Sequence, residues 1–269
     1  MELSSLDFDH YGKYSSSLTE NGFVLFKELL PYESINQINS HVESIFLMEG
    51  DCAGMENPCI EPGVMRLANL ADKGRIFSEF YAHPIVLQAI SSVLNDFNLV
   101  MLNARKTLPN YEGNQRQAFH TDTDLNQNKG IPDKNGYYSC TAILFLTDST
   151  IENGATSIIP GSHLSYSLPQ DFLPDLTAKQ SNELTIIGKA GDVCVLNGHC
   201  WHCGGSNKSA NERLTLLAHY LRPDIYRDKC RMQYLSNETK ISMSADELRL
   251  LGYFPSSQNS HKRQVLKDK

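Results

Sequence analysis

The sequence predicts a mainly β fold with flanking helices, in which the strands form an antiparallel barrel or sandwich. One observation is the pattern from Leu99 onward, where apolar residues alternate with polar ones or form short runs between Gly, Pro, Asn and Asp. The other is the pattern before Leu99, where two segments have the ~3.6-residue period of amphipathic helices. Because turn residues and not regular helices separate the later strands, a βαβ array is not expected.

The N-terminal part of the chain is predicted to contain one short strand and two helices. The strand covers Phe23 to Phe26, and Ser34 is the expected N-cap of the first helix. Pro84 suits the first residue of the second helix, because its missing N–H would be unpaired there in any case. The expected buried faces are Ile35, Ile38, Val42, Ile45 and Phe46 in the first helix and Val86, Leu87, Ile90, Val93 and Leu94 in the second.

The β-rich part is predicted to contain six strands, with two long loops and a final short helix. The polar stretches Asn126 to Gly136 and Ser167 to Ser181 have the length of lids or binding loops. Ser244 and Glu247 form a capping-box pattern that predicts a helix start. The predicted strands are Leu99 to Thr107, Tyr138 to Thr147, Thr156 to Ile159, Leu184 to Ile187, Val193 to Asn197 and Leu214 to Leu221.

Length and charge predict one domain, residues 1–269, that acts on a small molecule. Sandwiches and barrels of ~200–250 residues commonly form a single unit. The formal charge of −7 and the lack of a dense Lys/Arg cluster disfavour a nucleic-acid partner. No apolar run reaches the ~20 residues that span a bilayer, and the N-terminal MELSSLDFDH carries acids where a signal peptide carries bases. We therefore expect neither a nucleic-acid nor a membrane partner, while the oligomeric state cannot be predicted from the sequence.

Cysteine usage predicts a reducing compartment. The chain has 7 cysteines, an odd number, in a long sequence without a secretion signal, which favours free thiols and a cytoplasmic location. Cys200 and Cys203 have the spacing of half a zinc knuckle, but the second pair that such a site requires is missing.

The triplet His120-Thr121-Asp122 is the first candidate for metal chemistry. Side chains two residues apart on an extended backbone project from the same face, so an imidazole and a carboxylate can converge there on one ion. The triplet alone is also compatible with a hydrogen-bonded surface histidine beside an aspartate that caps a turn.

A second cluster, about eighty residues further along the chain, favours a metal site over the hydrogen-bonded alternative. There an apolar strand is followed by His202, whose imidazole would complete a facial triad of two histidines and one carboxylate. Such a triad leaves adjacent coordination positions open for other ligands. Arg213 follows in the next predicted strand, where its guanidinium suits a carboxylate, although a salt bridge to a protein acid is the ordinary alternative.

These motifs together resemble the phytanoyl-CoA dioxygenase (PhyH-like) family of iron(II)/2-oxoglutarate-dependent oxygenases. No single motif is decisive, but the ordered set is specific and covers roughly the central and later half of the chain. The matching text is His120-Thr121-Asp122, Glu152-Asn153-Gly154, Pro160-Gly161-Ser162-His163, Gly191-Asp192, Trp201-His202, Gly204, Asn207, Ser209 and Arg213.

The resemblance implies a fold, a cofactor set and a role for each matching residue. The fold would be a double-stranded β-helix, a jelly-roll or cupin-like barrel with N-terminal helices packed on the major sheet. His120, Asp122 and His202 would bind Fe(II), and Arg213 would bind the distal carboxylate of 2-oxoglutarate. Asn103 and Thr107 would help to hold that cosubstrate, and period two places both on one strand face with Arg105.

The resemblance also implies the reaction. A small-molecule substrate and dioxygen would be consumed, most simply by hydroxylation, with release of succinate and carbon dioxide. Related halogenases replace the carboxylate ligand by a small residue, so the presence of Asp122 disfavours chlorination. Desaturation, ring closure and epoxidation stay open, and nothing in the family name requires a coenzyme A thioester.

Other histidines could be metal ligands, and two other functions would fit the same residues. His199 and His219 could replace His202, but only His202 has the family spacing, and His163 is expected to stabilise its turn. A zinc hydrolase would suit the same three ligands, and a non-catalytic jelly-roll module could keep them as a relic. The residues expected to contact the substrate are Arg66, Asp124, Asn126 and Tyr138, within the loops 48–69, 123–138 and 165–181.

Overall fold

The computed structural model describes residues 15–56, 61–122, 131–225 and 234–253. The strands in these ranges are β1 (Phe23–Phe26), β2 (Val64–Leu67), β3 (Asn98–Thr107), β4 (Ser139–Phe145), β5 (Thr156–Ile158), β6 (Leu184–Thr185), β7 (Val193–Asn197), β8 (His202–Gly204) and β9 (Arg213–Leu221). The helices are α1 (Tyr32–Glu49), α2 (Leu70–Lys73), α3 (Ser78–Tyr81), α4 (Pro84–Ser91), α5 (Asn237–Ser242) and α6 (Ala245–Leu250). Short 3-10 turns cover Gly50–Cys52, Arg75–Phe77, Asn110–Glu112, Ser162–Ser165 and Pro169–Asp171.

The strands form two antiparallel sheets. The larger has six strands in the order β1-β7-β4-β9-β3-β2, and the smaller has three in the order β6-β5-β8. The longest pairing joins β3 to β9, from Asn98 opposite Leu221 to Thr107 opposite Arg213. The prediction of a mainly β, antiparallel fold with flanking helices is confirmed, and the described strands form two separate sheets and not a closed barrel.

Alternate residues of the larger sheet pack against the helices. Cys140, Ala142 and Leu144 of β4 are fully buried on this face. They share one hydrophobic core with Ile38 of α1 and Ile90 of α4. The other residues that this sheet contributes to the core are Val24, Phe26, Leu67, Leu99, Leu102, Ala104, Val193, Val195, Leu214, Leu216, Ala218 and Tyr220. The period-two pattern therefore separates a helix-facing side from a side that is free to build a site.

The opposite face of the larger sheet looks toward the smaller sheet. Ile143 and Phe145 of β4 and Leu196 of β7 pack there with Ile158 of β5 and with Ile186, which follows β6. This second core fills one part of the space between the sheets. The polar residues of the same face occupy the rest.

Most predicted elements are present, with shifts of a few residues at their ends. The strands Phe23–Phe26 and Val193–Asn197 have the predicted bounds. Pro84 is the first residue of α4, as predicted, and the His83 side chain accepts a hydrogen bond from the Ile85 N–H. The prediction of Ser34 as an N-cap is wrong, because α1 begins at Tyr32 and its N-cap residue, Pro31, makes no side-chain cap.

Two strands were not predicted, β2 and β8. Each is short, and each places polar or small residues in the ladder, among them Arg66 in β2 and His202 in β8. Such segments carry little apolar periodicity, so their strand conformation comes from pairing with a neighbour. No helix in the described ranges has the length and apolarity needed to cross a lipid bilayer.

The predicted capping box at α6 is confirmed and leads to a stability prediction. The Ser244 hydroxyl accepts from the Glu247 N–H at 3.2 Å, and Glu247 accepts from the Ser244 N–H at 2.9 Å. Replacing Ser244→Ala should lower the free energy of unfolding by ~1 kcal/mol, measured by urea denaturation. Ser242→Ala, at the far end of α5, is the control. Equal effects of the two substitutions would contradict the capping role.

Candidate metal centre

Backbone pairing brings the three predicted metal ligands together. His120 and His202 lie opposite each other in an antiparallel bridge, where each N–H donates to the other's carbonyl at 2.9 and 3.0 Å. The Asp122 N–H donates to the Gly198 carbonyl at 2.8 Å. One ligand atom from each of the three side chains lies within 4.8 Å of the others. The separation of about eighty residues in sequence is thus closed by main-chain hydrogen bonds.

Hydrogen bonds also determine which ring nitrogens face the site. The Nδ1 atoms of His120 and His202 lie 2.9 and 2.8 Å from the carbonyls of Ala118 and Cys200. Because a carbonyl only accepts, each Nδ1 carries the proton in the neutral ring and each Nε2 keeps a free lone pair. The His202 Nε2 atom lies 3.3 Å from Oδ1 of Asp122. This tautomer is the one required for binding a metal through Nε2.

The electrostatics of the cluster favour a cation. Burial is the largest single influence on the Asp122 carboxyl and raises its pKa, but the imidazoles of His202, His219 and His120 together outweigh burial, so the pKa lies well below its usual range. Burial, and then His202, lower the pKa of His120. Two imidazoles and one carboxylate, directed to one point, fit a divalent metal that is bound through nitrogen and oxygen.

Arg213 is a buried cation at the start of β9, on the site side of the sheet. It is 2% exposed, and its Nε donates to the Asn153 carbonyl at 3.2 Å while its Nη2 lies 3.5 Å from the Thr107 hydroxyl. Among the residues that the structure describes, no acid forms an ion pair with it. Burial, and then repulsion from Arg105, lower the pKa of Arg213 to about 9. A buried guanidinium with only neutral partners suits a ligand that brings its own carboxylate.

The segment between His202 and Arg213 is organised by Asn207. Its amide nitrogen donates to the carbonyls of Thr107 and Asn211 at 3.0 and 2.8 Å, and its oxygen accepts from the Ser209 N–H and hydroxyl. The matching Asn207 and Ser209 therefore shape the turn that leads into Arg213. Gly154 is required nearby, because its φ is +79° and a Cβ would approach the Gly205 carbonyl oxygen to 2.4 Å.

The triad and Arg213 line one cavity of about 160 Å³. Its other wall contains Arg105, which the sequence placed on this strand face without a role, and Gln117, which the sequence did not single out. Glu61 connects them, because it forms an ion pair with Arg66, accepts from Arg105 Nε at 3.3 Å and accepts from Gln117. Burial raises the pKa of Glu61, but Arg105 and then Arg66 outweigh it and lower the pKa to about 2. The cavity is lined by Arg66, Met101, Arg105, Gln117, His120, Asp122, Thr141, Ile143, Thr156, Leu196, His202, Gly204, Arg213, Thr215 and Leu217.

No signal in the sequence marks Gln117 as a site residue. It lies three residues before His120, and its side-chain oxygen accepts from the Gly204 N–H at 2.8 Å. A glutamine in a polar loop carries no periodic signal, and Glu61 lies more than forty residues away in another loop. Their connection is a product of the fold.

The other residues predicted to contact cosubstrate or substrate do not all line the cavity. Asn103 and Thr107 are buried on the predicted face but are not among the residues that line the cavity. Tyr138 packs edge-on against the ring of His199, with 4.4 Å between ring centroids, and Arg66 does line the cavity. Asp124 and Asn126 lie outside the described residues.

The competing histidines and the cysteines have other surroundings. His199 lies 3.1 Å from the Asn197 amide oxygen, and His163 lies 3.0 Å from the Thr19 carbonyl, which ties its turn to the helical segment at residues 15–20. Burial raises the pKa of both Cys200 and Cys203 to about 11, so both stay thiols. Within the described ranges, the metal-ligating cluster is His120, Asp122 and His202, and it contains neither cysteine.

A comparison with protein-family models agrees with this geometry. The model of the family described as phytanoyl-CoA dioxygenase (PhyH) matches residues 18–215 of the chain. The chain belongs to the phytanoyl-CoA dioxygenase family. The matched range contains all three residues of the triad and Arg213, so the resemblance that the motifs implied is confirmed.

Two fungal proteins similar to this family member are named as dioxygenases. Dioxygenase trt7 of Aspergillus terreus is 27% identical over 201 residues, which cover 73% of this chain and 68% of trt7. The iron/alpha-ketoglutarate-dependent dioxygenase penM of Penicillium thymicola is 25% identical over 218 residues, which cover 75% of this chain and 65% of penM. The chain thus matches about two thirds of the length of these relatives.

Solved structures resemble the fold of this phytanoyl-CoA dioxygenase family member. The non-heme alpha ketoglutarate dependent epimerase SnoN from nogalamycin biosynthesis gives a TM-score of 0.63 at 18% identity, with 80% of this chain and 84% of SnoN covered. A complex of SnoN with Fe3+, alpha ketoglutarate and nogalamycin RO gives a TM-score of 0.62 at 17% identity, with 80% and 85% covered.

Proposed function

We propose that this protein is a non-haem iron(II)- and 2-oxoglutarate-dependent dioxygenase that oxidises a small molecule. The observation that carries the proposal is a triad of two imidazoles and one carboxylate in the same cavity as a buried arginine that pairs with no acid in the described part of the chain. The family, and relatives named as dioxygenases, support it. Hydroxylation, with release of succinate and carbon dioxide, is the simplest reaction of this class.

In this proposal His120, Asp122 and His202 bind the iron, and Arg213 binds the distal carboxylate of 2-oxoglutarate. The bound iron supplies the activation of dioxygen, driven by oxidative decarboxylation of the cosubstrate. Thr107 supports the Arg213 guanidinium through its hydroxyl. We also infer that Asn103 contacts the cosubstrate, because it lies on the same strand face as Arg105, two residues away.

The protein's own contribution is orientation and exclusion of water. The carbonyls of Ala118 and Cys200 hold both imidazoles with Nε2 toward the metal position. Arg66, Arg105 and Gln117 form a polar wall, held together by Glu61, that can accept the polar groups of cosubstrate or substrate. Ile143, Leu196 and Leu217 form an apolar part of the same cavity, which limits access of water to the reacting centre.

The proposal extends to the architecture and the cellular context. We infer that the two facing sheets form a double-stranded β-helix of the jelly-roll or cupin type, with residues 1–269 as one oxygenase domain. A cytoplasmic location, a dioxygen and small-molecule partner set, and the absence of nucleic-acid and membrane partners belong to the same inference.

The first test is spectroscopic. Adding iron(II) and 2-oxoglutarate to the protein without oxygen should produce a weak visible charge-transfer band from the chelated keto acid. Aeration with candidate substrates should then yield succinate. Protein loaded with zinc is the control, because the filled d shell of zinc gives no such band. The absence of both the band and succinate would contradict the proposal, and hydrolysis by the zinc form would replace it with a zinc hydrolase.

A further inference from the structure

The two carboxylate oxygens of Asp122 have different surroundings. Oδ1 lies 3.3 Å from the His202 Nε2 atom, on the side where the ligand atoms converge. Oδ2 accepts a hydrogen bond from the Thr141 hydroxyl at 2.5 Å. Such a short distance is typical of a hydroxyl that donates to an ionised carboxylate. Among the described residues, Oδ1 is thus approached by His202, a proposed metal ligand, whereas Oδ2 is held by the Thr141 hydroxyl.

The Thr141 hydroxyl has a second partner, His219, and the ionised Asp122 determines the direction of both hydrogen bonds. The Nδ1 atom of His219 lies 2.8 Å from the Thr141 hydroxyl oxygen. The hydroxyl has one proton, and the ionised Asp122 can only accept, so the hydroxyl donates to Asp122 and accepts from a protonated Nδ1 of His219. The result is a directed chain from His219 to Thr141 to Asp122.

The sheet makes this chain rigid. Thr141 and His219 are directly opposite each other in the pairing of β4 with β9, and both are buried. Burial lowers the pKa of His219, which agrees with a neutral ring that donates through Nδ1. Within the described part of the chain, no hydrogen-bond partner is found for its Nε2 atom. The ring of His219 therefore donates its Nδ1–H to the Thr141 hydroxyl oxygen.

We propose that Thr141, oriented by His219, keeps Asp122 a one-oxygen ligand of the metal. A carboxylate can bind a metal through one oxygen or both. A second oxygen would occupy one of the three positions that the facial triad leaves for cosubstrate and dioxygen. The hydrogen bond from Thr141 withdraws Oδ2 from that position. Thr141 and His219 are positioning residues in this sense, and the inference rests on the proposed function because it requires a metal on the triad.

The test compares three variants with wild type by the number of open coordination positions on the metal, and not by catalytic turnover. Mn(II) is bound to wild type, Thr141→Val, Thr141→Ser and His219→Gln, and the water molecules on Mn(II) are counted from water-proton relaxation. Thr141→Val should lose about one of three waters and bind 2-oxoglutarate ~10–100-fold more weakly, while its Mn(II) affinity is maintained or increased. Thr141→Ser retains the hydroxyl and should behave as wild type. His219→Gln keeps a donor and should show a smaller change.

The measurements distinguish a failure of the Thr141 role from a failure of the proposed function. Equal water counts in wild type and Thr141→Val would overturn the role of Thr141. Parallel losses of Mn(II) affinity and thermal stability in Thr141→Val, with no change in the ratio of 2-oxoglutarate to Mn(II) affinity, would mean that Thr141 serves packing alone, and would also overturn it. If wild-type protein binds no divalent metal, the proposed function itself fails, which is a different result from any of these.

Discussion

The variant His202→Ala should lose iron binding, with iron affinity reduced by more than ~100-fold. The substitution removes one of only two imidazoles in the triad. It also leaves Asp122 without the ring that lies 3.3 Å from its Oδ1 atom. The fold should persist, because the bridge between residues 120 and 202 consists of backbone hydrogen bonds that alanine retains. Anaerobic titration with iron(II), followed by metal analysis of the desalted protein, measures the loss.

The matched control for this prediction is His163→Ala. His163 is buried like His202, but its Nε2 atom lies 3.0 Å from the Thr19 carbonyl, outside the metal cluster. This variant should keep full iron affinity even if its stability decreases. An unchanged iron affinity in His202→Ala, or an equal loss in both variants, would show that His202 is not the distal ligand.

The second large effect is expected for Arg213→Met, which should weaken 2-oxoglutarate binding by at least ~100-fold. Two charge-assisted hydrogen bonds from a guanidinium to a carboxylate contribute ~1.5–3 kcal/mol each, so their loss corresponds to this factor or more. Iron or manganese affinity should change little, because Arg213 is not in the metal cluster. Calorimetric titration of 2-oxoglutarate into the Mn(II)-loaded protein measures the first quantity, and metal titration measures the second.

Stability distinguishes ligand binding from a structural role for Arg213. The guanidinium is buried beside Arg105, whose repulsion contributes to lowering its pKa to about 9, and it forms no ion pair among the described residues. Removing such a charge should leave the melting temperature unchanged or raise it. Arg213→Lys keeps the charge without the planar fork, so its 2-oxoglutarate affinity should be intermediate. A lower melting temperature together with equal losses of metal and cosubstrate affinity would contradict the proposed role.

Much of the fold could be predicted because its signals are local. The alternation on β4 and β9, with small or apolar residues such as Ala142 and Ala218 facing the helices, is visible as a period of two. The capping box of Ser244 and Glu247 depends on residues three apart and was found in the same way. The failure at Ser34 shows the limit of a local rule, because α1 begins at Tyr32, directly after Pro31, and Ser34 lies inside the helix.

The candidate site could be predicted only through an ordered set of motifs. His-x-Asp is uninformative by itself, and His202 was selected from three nearby histidines by its resemblance to a family. The structure supplies the physical criterion that distinguishes them. His202 pairs with His120 through the backbone, whereas His199 packs against Tyr138 and His219 contacts Thr141.

By itself the sequence predicted the mainly β fold class, a shared strand face for Asn103, Arg105 and Thr107, and, through the family resemblance, a set of metal ligands and a cosubstrate arginine. Only the tertiary structure decided that Glu61 joins Arg105 to Gln117, that the Thr141 hydroxyl donates to Oδ2 of Asp122, and that His219 lies against that hydroxyl. The physical reason is the range of the interactions. Periodicity and capping act between residues a few positions apart, whereas cross-strand register and buried hydrogen bonds join residues tens of positions apart and exist only once the sheets have paired.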